Sequence, residues 1–302
     1  MITKLNDLLE GARNSSVRIA VAQADDDTVL STIKGIEGIT GTDNFILIGD
    51  RDKIRARAER HQLSLSPGQI VQETGEAQTA HKAVAMVRAG EADLPMKGLM
   101  QTSAFMRALL NKETGLRGGG LISENSVYEK EWGEPGLQIA TCCAVNIAPD
   151  LDQKRQIIEN AVWLARKLGQ PKPRVAAVCA LEQVNPEMPE TLDAAILSKM
   201  ADRGQIKNCL IDGPFALDNA VSIESAAHKS LSGPVAGQAD ILLMANILMG
   251  NIYHKTLTYL ARKRVPGVLL GARVPVLINS RSDFPEDRVL SIALAIHLMK
   301  TT

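Results

Sequence analysis

The run Asn279-Ser280-Arg281-Ser282-Asp283-Phe284-Pro285-Glu286-Asp287 gathers hydroxyls, a guanidinium and carboxylates directly after the apolar stretch Pro275 to Ile278. Arginine suits bidentate recognition of phosphate or carboxylate, serine can polarise a carbonyl, and aspartate can take a proton. The same residues also describe an ordinary helix start, with Ser282 or Asp283 as the cap and Arg281 as a solvated charge. Either way a helix N-terminus stands behind the polar cluster, and its unpaired N–H groups favour anions.

Two further clusters have the same strand-to-helix setting. In Asp93 to Arg107, Lys97 ends a short strand, Thr102 and Ser103 are cap formers, and Arg107 lies a turn or more into the following helix. Two cations beside a cap suggest an anion pocket; plain capping with a solvated Arg107 is the alternative. In Asn246 to Lys255, Gly250 permits a close backbone approach, the Asn side chains satisfy turns, and Lys255 brings the charge. Arg117-Gly118-Gly119-Gly120 lacks the spacing and the lysine of a P-loop and is read as a junction. No G-x-G-x-x-G or G-x-S-x-G motif occurs. The five His residues (61, 81, 228, 254 and 297) stand at unrelated positions; His61 and His297 are read as structural. Cys142 and Cys143 are adjacent in a strand, Cys179 and Cys209 are isolated, and no Cys-x-x-Cys pair suggests a metal or redox site. A nucleophilic thiol in the 142/143 pair stays open beside the commoner buried, inert one.

These clusters need elements to hold them at the ends of strands. Apolar runs alternate with helical-period segments from the start of the chain: Val17 to Ala22, then Val29/Leu30/Ile33; Phe45 to Ile48, then Ile54/Ala58; Ile70 and Val71, then Ala80/Val84/Val87. That rhythm predicts βαβ units, and continuous runs such as Phe45-Ile46-Leu47-Ile48 suit a parallel sheet covered on both faces. The rhythm breaks at a hairpin, Leu121 to Tyr128 and Leu137 to Val145 around Glu131 to Gly136, which we read as the boundary between two α/β halves. Helices are then expected over 152–168, 189–200, 251–264 and 285–299. Strands are expected over 174–181, 209–212 and 241–244 and near Val268 and Val276. The Val289/Ile292/Ala293/Ile296 spacing gives the final helix an apolar face.

Composition narrows the function classes. The 302 residues carry 34 Lys+Arg against 34 Asp+Glu, with 45% hydrophobic residues. A chain of that size buries about 75% of the surface it exposes when unfolded, enough for one or two full cores. Balanced charge leaves no uniform cationic field for a nucleic acid or an anionic membrane surface. The apolar stretches Ile241 to Met249 and Ile292 to Met299 are far short of the ~20 residues of a spanning helix. Met1 to Arg13 lacks the pattern of an export signal. The expectation is a cytoplasmic protein with reduced thiols, acting on small molecules and neither nucleic acid nor membrane.

Taken together, the motifs resemble the phosphate acetyltransferase/phosphate butyryltransferase family, most closely its shorter butyryltransferase-like branch, over nearly the whole chain. They are Met96-Lys97-Gly98-Leu99 with Thr102 and Arg107, Asn111 to Arg117, Asn185 to Ala195, Ser198 to Ile206, Asp212-Gly213-Pro214 with Asp218, Gly237 to Asp240, Asn246 with Gly250-Asn251, Lys255 to Tyr259, and Ser280-Arg281. The resemblance implies reversible transfer of a short-chain acyl group between coenzyme A and inorganic phosphate, giving acyl phosphate and CoA. It further implies an isocitrate/isopropylmalate dehydrogenase-like architecture: 1–135 plus 282–302 as one α/β domain, 136–281 as the second, with the active-site cleft between them. A homodimer, no metal and no tightly bound cofactor complete the expectation, CoA or acyl-CoA and phosphate being substrates. Ser280, Arg281 and Asp287 are implied as catalytic, Asp287 lying seven residues after the serine. Lys97, Thr102, Arg107, Asn246, Asn251, Lys255 and Asp283 are expected to bind substrate. Asp283 also matches a Ser-Arg-x-Asp pattern, and its place near the helix start argues for a capping role, with Asp287 one turn on as the base. Phosphate acetyltransferase is the alternative within the family; a metal- and NAD-dependent decarboxylating dehydrogenase using Asp212, Asp218 and Asp240, and a non-catalytic CoA-binding protein, are alternatives outside it.

Overall fold

The computed structural model describes residues 1–280 and 283–300; Arg281, Ser282, Thr301 and Thr302 lie outside the described residues. The chain divides into two compact units, an N-terminal one of Asn6–Gly120 with Pro266–Thr302 and a central one of Met1–Leu5 with Leu121–Val265. The changeovers thus fall at 120/121 and 265/266, where the sequence led us to expect 135/136 and 281/282. Pairing within the hairpin explains the first: its two arms hydrogen-bond to each other, from Asn125–Thr141 to Glu129–Leu137, so both belong to one sheet.

From the N-terminus the elements are α1 (Leu5–Ala12), β1 (Ile19–Ala22), α2 (Asp27–Thr40), β2 (Phe45–Gly49), α3 (Arg51–Arg60), β3 (Ile70–Gln72), α4 (Glu76–Arg88), β4 (Leu94–Lys97) and α5 (Thr102–Leu109). The central unit holds β5 (Ser123–Glu129), β6 (Leu137–Thr141), α6 (Leu151–Lys167), β7 (Arg174–Val178), α7 (Pro189–Asp202), β8 (Leu210–Phe215), α8 (Leu217–Val221), α9 (Ile223–His228), β9 (Ile241–Leu243) and α10 (Ile247–Lys255), which runs on into a π-helical turn over Thr256–Leu260. The chain then adds β10 (Gly267–Leu270), β11 (Leu277–Ile278) and α11 (Pro285–Lys300) to the N-terminal unit.

In the N-terminal unit five strands run parallel in the order β11-β4-β1-β2-β3. All four residues of β1 and of β4 are buried, which accounts for their unbroken apolar character up to Lys97. The chain steps outward from β1 through β2 to β3, then returns past β1 to lay down β4 on its other side. Strand order therefore reverses between β1 and β4, and in open α/β sheets ligands bind in the crevice at the carboxyl ends beside such a reversal. Asp26 caps α2 there, its Oδ1 accepting from the N–H groups of Thr28 (2.9 Å) and Val29 (3.3 Å).

Within the central unit the order is β5-β6-β9-β7-β8, antiparallel between β5 and β6 and parallel beyond. A capping box starts α6: Asp150 accepts from the Gln153 N–H (2.8 Å) and Gln153 Oε1 from the Asp150 N–H (3.0 Å). Asp240, just before β9, is buried between Lys130 Nζ (2.5 Å) and Arg174 Nε (2.9 Å).

The one-faced reading of α11 needs correction. Leu290, Ile292, Ala293, Leu294, Ala295, Ile296 and Leu298 are all buried, so the helix is enclosed on nearly every side. Small residues make room for it: a Cβ on Gly35 of α2 would lie 2.9 Å from Val289 Cγ2.

Candidate active site

At the strand-order reversal the backbone is drawn in tightly after β4. The Gly98 N–H donates to the Ala22 carbonyl (2.8 Å) and the Leu99 N–H to that of Gln23 (3.2 Å). A Cβ on Gly98 would stand 2.3 Å from the Gln23 oxygen and 2.4 Å from that of Ala22, so the turn admits no side chain there. Lys97, only 4% exposed, folds over this turn with Nζ donating to the carbonyls of Gly98 (3.2 Å) and Met100 (3.4 Å). A lysine this deep keeps its charge only beside such acceptors.

Next to β4, β11 runs into Asn279 and Ser280, with Ile278 paired to Lys97. The Ser280 N–H donates to Asp283 Oδ2 at 2.6 Å, and the Asp283 N–H to the Ser280 carbonyl at 3.2 Å. Arg281 and Ser282, between them, lie outside the described residues. The Phe284 carbonyl accepts the first helical bonds, from Asp287 (3.1 Å) and Arg288 (3.3 Å), so Phe284 rather than Asp283 stands at the cap position of α11. Pro285 explains the shift: proline favours the first helical position and keeps its predecessor out of the helix. Asp283 is therefore a turn residue, and its expected i to i+4 relation with Asp287 does not apply.

Asp287 is 4% exposed, and its carbonyl accepts from Ser291 Oγ at 2.7 Å. Arg288 was missed in the sequence. It is 6% exposed and donates through Nη2 to the Ser280 carbonyl at 3.3 Å. Burial pushes its pKa down, opposed by the charges of Asp283, Asp26 and Asp287. A cation in the first turn opposes the helix dipole, and that mismatch was the available sequence signal. Lys97, Gly98, Asn279, Ser280 and Arg288 border one open pocket of about 50 Å³, lined also by Asp26, Thr28 and apolar side chains that include Val29 and Met96.

Other expected residues stand elsewhere. Thr102 opens α5 and Arg107 lies in its last turn; both are exposed and neither borders that pocket. Asn246, Asn251 and Lys255 belong to the central unit. Asn246 Oδ1 caps α10 by accepting from the Met249 N–H (3.0 Å), as plain turn chemistry predicts. A Cβ on Gly250 would meet the Cys142 carbonyl at 2.4 Å, so glycine lets α10 dock on the end of β6. Asn251 Nδ2 reaches the Cys143 carbonyl (3.4 Å), and Lys255 Nζ lies 5.8 Å from the Tyr259 ring centroid.

The open question about the thiols is answered by burial. Desolvation pushes Cys142 up to about 12 and Cys179 and Cys209 to about 11, and it raises Cys143 well above the ordinary thiol value, so none is a thiolate at neutral pH. Of the three carboxylates considered for a dehydrogenase, Asp240 is spent on Lys130 and Arg174, Asp212 accepts from the Gly213 N–H (2.8 Å), and Asp218 lies 3.8 Å from Lys229 Nζ. A larger cavity of about 670 Å³ in the central unit is lined by Lys130, Trp132, Gln138, Arg174, Tyr253 and Lys263 among others. It borders the amino ends of β6 and β7, opposite to where parallel strands present ligand sites, and its cations Lys130, Arg174 and Lys263 are paired with Asp240 and Glu131.

Comparison with known proteins gives one answer. A family profile described as "Phosphate acetyl/butaryl transferase" matches residues 68–296. The chain is 44% identical over 296 residues to a phosphate butyryltransferase of Clostridium acetobutylicum, covering 98% of each, and 40% identical over 293 residues to a phosphate acetyltransferase of Thermotoga maritima, covering 96% of this chain and 98% of the relative. Among solved structures, a branched-chain phosphotransacylase from Enterococcus faecalis V583 superposes with a TM-score of 0.79 at 30% identity, over 93% of this chain and 98% of that one. With a matching profile over most of its length and relatives this similar from end to end, the chain belongs to the phosphate acetyl/butyryl transferase family.

Proposed function

We propose that the protein is a phosphate acyltransferase, moving a short-chain acyl group reversibly between coenzyme A and inorganic phosphate. The observation that carries this conclusion is that, in a chain of this family, Lys97 and Ser280 line one small pocket at the carboxyl ends of β4 and β11. In the reaction a phosphate oxygen attacks the thioester carbonyl carbon, the tetrahedral oxyanion collapses with loss of the CoA sulfur, and the thiolate takes up a proton. Arg281 holds phosphate, Ser280 donates to the developing oxyanion, and Asp287 removes the thiol proton in the reverse direction. Lys97, Thr102, Arg107, Asn246, Asn251, Lys255 and Asp283 are the proposed substrate contacts. Positioning both substrates together supplies much of the acceleration, and no acyl-enzyme is needed.

Within the family we favour butyryl or a branched short chain over acetyl. The support is the higher identity to the butyryltransferase than to the acetyltransferase and the likeness to the 30%-identical branched-chain phosphotransacylase. A cytoplasmic homodimer completes the proposal, supported by the resemblance and by four buried free cysteines. The test is CoA release from acetyl-, butyryl- and isobutyryl-CoA with and without phosphate. Phosphate-dependent release, fastest with a four-carbon acyl group, is expected; no phosphate dependence with any short acyl-CoA overturns the proposal.

A further inference from the structure

Asn279 ends the run from β11 and is 8% exposed, yet its side-chain Nδ2 is enclosed by protein with no hydrogen-bond partner. An amide N–H shut away from water without an acceptor destabilises the fold, and native structures hold few of them. The Asn279 residue lines the pocket that also receives Lys97 and Arg288, both more than nine-tenths buried. A ligand oxygen in that pocket would supply the missing acceptor.

We propose that Asn279 is a substrate-binding residue whose Nδ2–H donates to an oxygen of inorganic phosphate lodged beside Lys97 and Arg288. A thioester carbonyl is neutral and offers one oxygen, whereas phosphate offers several acceptors and a charge that two buried cations favour. The small volume, about 50 Å³, suits a compact oxyanion and not the body of an acyl-CoA. Asp26 is the carboxylate at the rim; its Oδ1 is engaged by the start of α2, and the group suits the remaining O–H of monohydrogen phosphate. The assignment deepens the acyltransferase proposal in its kinetic consequences, while phosphate binding itself can be tested without turnover.

The experiment compares the parent with Asn279→Ala and Asn279→Asp, measuring Tm with and without inorganic phosphate and the KM values for phosphate and butyryl-CoA. Without phosphate, Asn279→Ala is expected to melt no lower than the parent, because an unsatisfied donor has been removed. Phosphate should raise the parent's Tm and the variant's much less, and the variant's phosphate KM should rise roughly tenfold or more with the butyryl-CoA KM unchanged. Asn279→Asp, equal in shape but negative, should lose phosphate binding more completely. An equal phosphate-induced Tm rise in parent and Asn279→Ala, no rise in either, or a higher KM for butyryl-CoA instead of phosphate overturns the assignment. Failure of the acyltransferase proposal shows separately, as a parent that releases no CoA; the Tm comparison then still decides the role of Asn279.

Discussion

Arg281 and the two aspartates after it carry the sharpest expectations. A guanidinium fork can take two phosphate oxygens where an ammonium is a point charge. Arg281→Lys should therefore raise the phosphate KM roughly tenfold or more and lower kcat, by steady-state kinetics; an unchanged phosphate KM removes Arg281 as the clamp. Asp287→Asn should lower kcat about 100-fold, the scale of losing a general base. Asp283→Asn should keep most activity, because an amide oxygen can still accept from the Ser280 N–H that Asp283 Oδ2 binds at 2.6 Å. If the Asp283 variant is the inactive one, the two roles are exchanged. This run stood out in the sequence as a candidate because hydroxyls, a guanidinium and carboxylates crowd together after an apolar strand. The cap was misplaced because a side-chain preference for Asp was weighed above the backbone constraint of Phe284-Pro285. Arg288 left only the weak mark of a cation in a first helical turn, and the Asn279 amide left none, since burial and an unmade hydrogen bond exist only in three dimensions.

Among elements, β1, β2 and β4 were plain in the sequence because burial on both faces leaves a continuous apolar run. The same logic failed for α11, where a helix enclosed all round shows no polar stripe to measure a face against. Two glycines, one where β1 and β4 end and one inside α2, make opposite predictions. Gly98→Ala would press a Cβ to 2.3 Å from a backbone carbonyl, forcing the two strand ends apart; a loss of roughly 1–3 kcal/mol, seen as a lower denaturation midpoint, should accompany loss of activity. Gly38, inside α2, has nothing within 4 Å of an added Cβ. Gly38→Ala should stabilise by about 0.4–1 kcal/mol through a less flexible unfolded chain and better helix propensity, leaving activity unchanged.

For the whole molecule, acid stability turns on Asp240. Burial pushes its carboxyl up, but hydrogen bonds from Arg174 and Lys130 outweigh that and hold it below the ordinary value. With the folded pKa depressed, the unfolded chain binds more protons, so this contribution is present above the ordinary carboxylate pKa of about 3.9 and is lost as pH falls through the folded value. A Tm profile against pH should fall below about pH 4, and Asp240→Asn should flatten that limb while lowering Tm at neutral pH, because Lys130 would stay buried without its counter-charge. The division into two α/β units followed from strand and helix rhythm, but their limits did not, since turn residues mark a hairpin without saying that its arms share a sheet.

The N-terminal unit is assembled from Asn6–Gly120 and Pro266–Thr302, with Leu121–Val265 made in between. During synthesis β4 and Lys97 therefore leave the ribosome before the strand that lies beside them, and at 5–20 residues per second β11 follows on the order of ten seconds later. Through that interval the edge of β4 that β11 will cover has no native neighbour, and the place of the buried α11 is vacant. Nascent chains halted before Pro266 should be open to proteases in the N-terminal unit and should recruit chaperones until the final helix arrives.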